Sequence, residues 1–204
     1  MRTARDALLD AARSALATLP WSAVRMVDVA SAAGVSRQTL YNEFGSKDGL
    51  ARALVRSAAD GYLAGVKQAL GSAGGTEDRL AATAAWTVRA VRADGLVRGL
   101  LTGCWSERLP RPERPAPPTD SLVPAQRRAD AGMPTPAELL GQAAARTVAA
   151  LDEGRSPHDP VVPAETCEIA LRLALSYALV PAPTGTERDP APLVREVVGR
   201  RSGG

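Results

Sequence analysis

A chain of 204 residues that is 45% hydrophobic and 23% charged has enough apolar side chain to build a core, which excludes a disordered polypeptide. Ala and Leu supply most of that apolar content and only seven residues are aromatic, so an all-α fold is expected and a β-rich one is not. The net charge of +3 permits a polyanionic partner without identifying one.

Pro20 is the only proline before residue 110, so the first half of the chain reads as nearly continuous helix. Leu8, Ala12, Ala15, Leu16 and Leu19 fall on one face of a helix over 4–18. Leu19-Pro20-Trp21-Ser22 breaks it. Met26, Val29, Ala30 and Ala33 mark a short second helix, which Gly34 stops because glycine takes positive φ without steric cost. Ser36 is placed to cap a third helix, in which Leu40 and Phe44 stack one turn apart. Gly45-Ser46 turns the chain, and Ser46 with Asp48 suits the start of a long helix over 47–70. Further helices are predicted over 76–94, 96–106, 136–152, 164–180 and 190–200. Six prolines make 110–124 an irregular loop, and 153–163 and 181–190 are further breaks.

Two short helices joined by a glycine-containing turn have the spacing of a helix-turn-helix. Ala30 is small enough for a close crossing, Gly34 allows the turn, and Val35 and Leu40 plug the small core. Arg37, Gln38, Thr39, Tyr41 and Asn42 then lie on the outward side of the third helix. Arg and Gln can bond base edges bidentately, and Thr can meet a thymine methyl. Tyr41 and Lys47 suit phosphates, which fix position without reading sequence. The pattern Val29-Ala30-x-x-Ala33-Gly34-Val35-Ser36-x-x-Thr39-Leu40-Tyr41-x-x-Phe44-x-x-Lys47-x-x-Leu50 resembles the signature of TetR-family transcriptional regulators, over roughly residues 4–56. The resemblance implies a helix-turn-helix domain over 1–50 and a helical ligand-binding and dimerisation domain over 51–204. It also implies a homodimer on a palindromic duplex, with Ser36 beside the residues above in the DNA-binding set. One position departs from the family: Arg25 stands where a Thr usually caps the second helix and touches a phosphate. Arg is a poor cap, but its guanidinium has the reach for the same phosphate.

The helix over 164–180 is polar along one narrow stripe, Glu165, Glu168, Arg172 and Ser176, and apolar elsewhere. Burial on more than one side is expected of such a helix, and a second subunit is the simplest cover. Leu171, Leu175, Ala178 and Leu179, with Val194 and Val197 of the last helix, are the expected dimer interface. A central helix of a monomeric bundle would read alike. Trp86, Leu100, Leu101, Cys104 and Trp105 are the candidate lining of a pocket for a mostly apolar small molecule, although tryptophans fill cores as readily as they line cavities. Gly61 and Gly65, and again Gly95, Gly99 and Gly103, repeat every four residues. Packed together they would make a close helix seam; compositional bias would scatter glycines equally well.

No catalytic site is expected. Cys104 and Cys167 build neither a disulfide framework nor a zinc cluster, His158 is the single histidine, and no Glu-x-x-His pair or phosphate-cradling loop occurs. Neither a metal nor a cofactor is called for. No uncharged stretch approaches the ~20 residues of a membrane span, and Asp6, Asp10 and Arg13 interrupt any signal-like apolar run, so a cytoplasmic protein is expected. The sequence therefore reads as a ligand-responsive DNA-binding regulator and not an enzyme. Repression is the default that the resemblance implies, and activation is its alternative. The rivals are a helical-bundle enzyme and a helical module that binds no DNA.

Overall fold

Thr3 opens the first helix by a reciprocal cap. Its hydroxyl accepts the Asp6 N–H at 3.1 Å, and the Asp6 carboxylate accepts the Thr3 N–H at 3.1 Å, which satisfies donors that a helix start leaves unpaired. The computed structural model describes residues 3–72, 74–111, 133–153, 162–180 and 190–202. Among these are nine α-helices and no strand: α1 (Ala4–Thr18), α2 (Met26–Ala32), α3 (Arg37–Phe44), α4 (Lys47–Ser72), α5 (Thr76–Ala93), α6 (Gly95–Thr102), α7 (Pro136–Glu153), α8 (Ala164–Leu179) and α9 (Ala191–Ser202). A 3-10 turn, Trp21–Ala23, follows Pro20 between α1 and α2. The fold is all-α, as the composition demanded. The proline-rich 112–124 and His158 lie outside the described residues.

One helix differs from its prediction by more than two residues at an end. α6 ends at Thr102 instead of 106, because Gly103 takes φ 73 and donates its N–H to Gly99 O at 2.9 Å. A left-handed glycine ends the helix there. Cys104 and Trp105 are therefore not helical, and their expected place on a pocket helix does not hold.

The chain divides into two compact units, Met1–Ala58 with Trp105–Met133, and Ala59–Cys104 with Pro134–Gly204. In the first, α1, α2 and α3 close over Leu8, Ala12, Val29, Ala30, Leu40 and Phe44, all buried, with Leu50 and Leu54 from the start of α4 buried as well. In the second, α5 is the central helix. Its Leu80, Ala84 and Val88 form one apolar cluster with Leu151 of α7, Cys167, Ala170 and Ala174 of α8, and Val194 of α9. Tyr62 is buried beside α5 with its hydroxyl 3.1 Å from Thr87 Oγ1, and Thr87 donates on to Thr83 O at 2.9 Å. Burial pushes the Tyr62 phenol up to about 12, so it stays neutral.

The glycine seam is not what the spacing suggested. Gly95 opens α6 and Gly103 ends it, so neither is an interior helix residue. A methyl group on Gly61 would meet nothing within 4 Å, whereas one on Gly65 would overlap the indole of Trp86. Gly65 is thus a notch for a tryptophan. Trp86 Nε1 donates to Tyr62 O at 3.1 Å, tying α5 to the backbone of α4.

Arginines from elsewhere in the chain bond the carbonyls near several helix ends. Arg79 donates to Ala150 O (3.1 Å) near the end of α7, Arg92 to Tyr177 O (3.2 Å) near the end of α8, and Arg98 to Val91 O (3.2 Å) near the end of α5. Arg108 donates to Thr18 O, the last residue of α1, at 3.2 Å. The last carbonyls of a helix have no partner within it and carry partial negative charge, so a fixed cation is favoured there.

Candidate nucleic-acid interface

Gly34, at φ 68, reverses the chain between α2 and α3, and Val35 N donates to Ala30 O at 3.1 Å across the turn. Ser36 then caps α3: its Oγ accepts the Thr39 N–H at 3.0 Å and lies 2.9 Å from the Thr39 hydroxyl. Ser36 and Thr39 are therefore brought together in the cap. Leu40 and Phe44 point into the core. Arg37, Gln38, Tyr41 and Asn42, at i, i+1, i+4 and i+5, share the exposed face. Tyr41 is 46% exposed, high for an aromatic side chain without a surface role. Gln38 Nε2 donates to Asn42 Oδ1 at 2.8 Å, which orients both amides along the same face. The backbone then turns through Gly45 at φ 74, and Ser46 Oγ accepts the Gly49 N–H at 3.0 Å to start α4. Gly49 itself allows the close approach, since a Cβ there would overlap the Phe44 carbonyl oxygen.

Arg25 precedes α2 and Lys47 opens α4, and the two are held differently. Lys47 Nζ lies 5.1 Å from the centre of the Trp21 ring and donates to Ser22 O at 3.2 Å. Arg25 precedes α2 and makes no side-chain cap. Its guanidinium instead forks onto the Asp28 carboxylate, at 2.7 and 2.9 Å. Those hydrogen bonds hold the Asp28 carboxyl below its ordinary range and raise Arg25 further. Both side chains are exposed, so the pair acts through orientation and local charge. Sequence reasoning placed Arg25 but missed Asp28, three residues on. It also missed Trp21, although an aromatic directly after Pro20 was a visible signal.

The other candidate residues are spread. Leu100 and Leu101 are buried, Trp86 is half-buried in the Gly65 notch, Cys104 is exposed, and Trp105 belongs to the first unit. Cys167 is buried, and desolvation together with Asp152 pushes its thiol up to about 11, which makes it a poor nucleophile. Of the expected pairing residues, Leu171 and Val194 are already buried within the chain, at 1% exposure each. Leu171 is therefore covered by its own chain. Leu175 and Ala178 are half-buried and Leu179 is exposed. The side chain of Val197 lies outside the described residues. Beside this apolar edge, Arg172 pairs with Glu168 at 2.7 Å. No cluster of metal-ligating side chains is formed among the described residues, and no described helix is long and apolar enough to cross a membrane.

Residues 8–54 match the family model for bacterial regulatory proteins of the TetR family. The HTH-type transcriptional regulator AlkX of Mycobacterium tuberculosis is 57% identical over 56 residues, 28% of this chain and 26% of that protein. The match thus spans about a quarter of the curated relative. Two solved structures share the whole fold. The TetR-family repressor AlkX from a Dietzia strain has a TM-score of 0.50 at 23% identity, covering 100% of this chain and 96% of its own. A regulator of the TetR/AcrR family from Thermobifida fusca has a TM-score of 0.53 at 18% identity, covering 98% and 97%.

Proposed function

We propose, from the match of residues 8–54 to the family model for bacterial regulatory proteins of the TetR family, that this chain is a ligand-responsive repressor that binds a palindromic operator as a homodimer in the cytoplasm. Residues 1–50 carry the DNA contacts in this reading, and 51–204 carry ligand binding and pairing. The observation that supports it most is the face of α3. A Ser36 cap and the Gly34 turn present Arg37, Gln38, Tyr41 and Asn42 together. Arg37 and Gln38 read base edges, and Tyr41, Lys47 and Arg25 meet phosphates. Pairing uses the end of α8, where Leu179 is exposed and Leu175 and Ala178 are half-buried. A mostly apolar ligand enters near Leu100 and Leu101 and releases DNA through its differential affinity for two arrangements of the dimer. No reaction is catalysed.

Fluorescence anisotropy on the duplex flanking its own gene tests the reading. Arg37→Ala and Gln38→Ala are each expected to cost ~1–3 kcal/mol and to relax preference at one position per half-site. A loss equal on all sequences would reduce both residues to phosphate contacts, and no binding by the wild type would leave a helical protein with another role. Asp28→Asn releases the Arg25 fork. It is expected to tighten binding to any duplex and to steepen the salt dependence by about one unit. An unchanged slope would mean that Arg25 reaches no phosphate.

A further inference from the structure

We propose that Trp21 and Arg108 are positioning residues for the phosphate contact of Lys47, so that DNA affinity depends on a turn lying just after α6 in sequence. The inference rests on the DNA-binding reading above. Lysine is a compact charge on a flexible stem and points nowhere in particular unless something holds it. Here two groups do. The Trp21 ring lies 5.1 Å from Nζ and attracts the cation through its π-face, and Ser22 O accepts one of its three protons at 3.2 Å.

Both groups belong to the short 3-10 turn Trp21–Ala23, closed by Ala23 N to Pro20 O (2.9 Å) and Val24 N to Trp21 O (3.2 Å). So short a turn has little rigidity of its own. It is tied from outside the helix-turn-helix. The Trp21 N–H donates to Arg108 O at 2.8 Å, and the Arg108 guanidinium donates to Thr18 O at 3.2 Å, fixing the end of α1 on the other side of Pro20. Arg108 is itself set by a local turn: Leu109 N donates to Ser106 O at 3.0 Å, and Ser106 Oγ accepts the Arg108 N–H at 3.2 Å. Pro110, which follows, is buried. The contacts thus run without a break from Ser106 through Arg108 and Trp21 to Lys47.

The salt dependence of binding to a random-sequence 30-base-pair duplex tests this, because a lost phosphate contact lowers the slope while mere destabilisation does not. Lys47→Ala is expected to lower it by about one unit, which shrinks the affinity ratio between 50 and 200 mM salt about fourfold. Trp21→Leu is expected to lower it in the same direction, and the double variant to match Lys47→Ala alone. Trp21→Phe, which keeps a π-face, retains the wild-type slope. Arg108→Ala loses part of it. Thermal melts of all variants establish that each is folded. Should Trp21→Leu not fold, Arg108→Ala decides the matter by the same readout. Wild-type slopes in folded Trp21→Leu or Arg108→Ala, with a lowered slope in Lys47→Ala, would overturn the positioning role and leave the DNA-binding reading standing. Absence of any salt-dependent binding by the wild type would overturn both.

Discussion

Leu171→Asp is expected to leave no folded chain, whereas Leu179→Asp is expected to leave a folded one that no longer pairs. The two residues sit two turns apart on α8 and differ in what surrounds them. Leu171 is 1% exposed inside its own chain, so a carboxylate there is desolvated with no partner, at a cost of several kcal/mol. Against the ~5–15 kcal/mol that holds a typical domain together, that is a large share. Leu179 is 47% exposed, where substitutions usually change stability by no more than about 0.5 kcal/mol. Circular dichroism melts and sedimentation at micromolar concentration separate the outcomes. A folded, monomeric Leu171→Asp would return that residue to the subunit interface, and a Leu179→Asp that still dimerises would move the pairing face elsewhere.

Gly65→Ala and Gly61→Ala are expected to change stability with opposite signs, although both glycines lie inside α4. Alanine in place of glycine in a helix interior ordinarily gains ~1 kcal/mol. Gly61, with open space at its Cβ position, should show that gain. At Gly65 the added methyl overlaps the Trp86 indole, and overpacking of this kind costs ~1–3 kcal/mol. Trp86→Leu should relieve the clash, so that the double variant loses less than the two single losses added together. Urea midpoints measure all four chains. Equal gains at both glycines would mean that Trp86 moves aside freely and that the notch has no structural role.

Short-range physics carried the sequence reading a long way. Helix identity follows from apolar spacing and from Ser36 and Ser46 as caps, because these signals act within four residues. The helix-turn-helix was readable for the same reason: Ala30, Gly34 and Val35 each meet a steric demand set by near neighbours. α6 was overrun to 106 because Gly103 was taken for an interior residue when its left-handed conformation ends the helix. The partners that set side-chain direction were harder to see. Arg25 and Asp28 stand three apart, and Arg25 was weighed against a missing cap instead of against a nearby carboxylate. Trp21 under Lys47, and Arg108 behind Trp21, join residues far apart in sequence, and no local pattern announces them. Leu171 was read as surface for a partner because periodicity tells which face is apolar and not which neighbour covers it.

The arginines at helix ends have a consequence for behaviour in acid. The exposed Arg25–Asp28 ion pair weakens once its carboxylate, which the hydrogen bonds from Arg25 hold below the ordinary carboxylate range, takes up a proton. The bonds from Arg79 to Ala150 O, Arg92 to Tyr177 O, Arg98 to Val91 O and Arg108 to Thr18 O have nothing to protonate, since guanidinium keeps its charge and a peptide carbonyl never acquires one. Acidification should therefore loosen that pair at the start of α2 first. The ends of α1, α5, α7 and α8 stay fastened at a pH where it is gone.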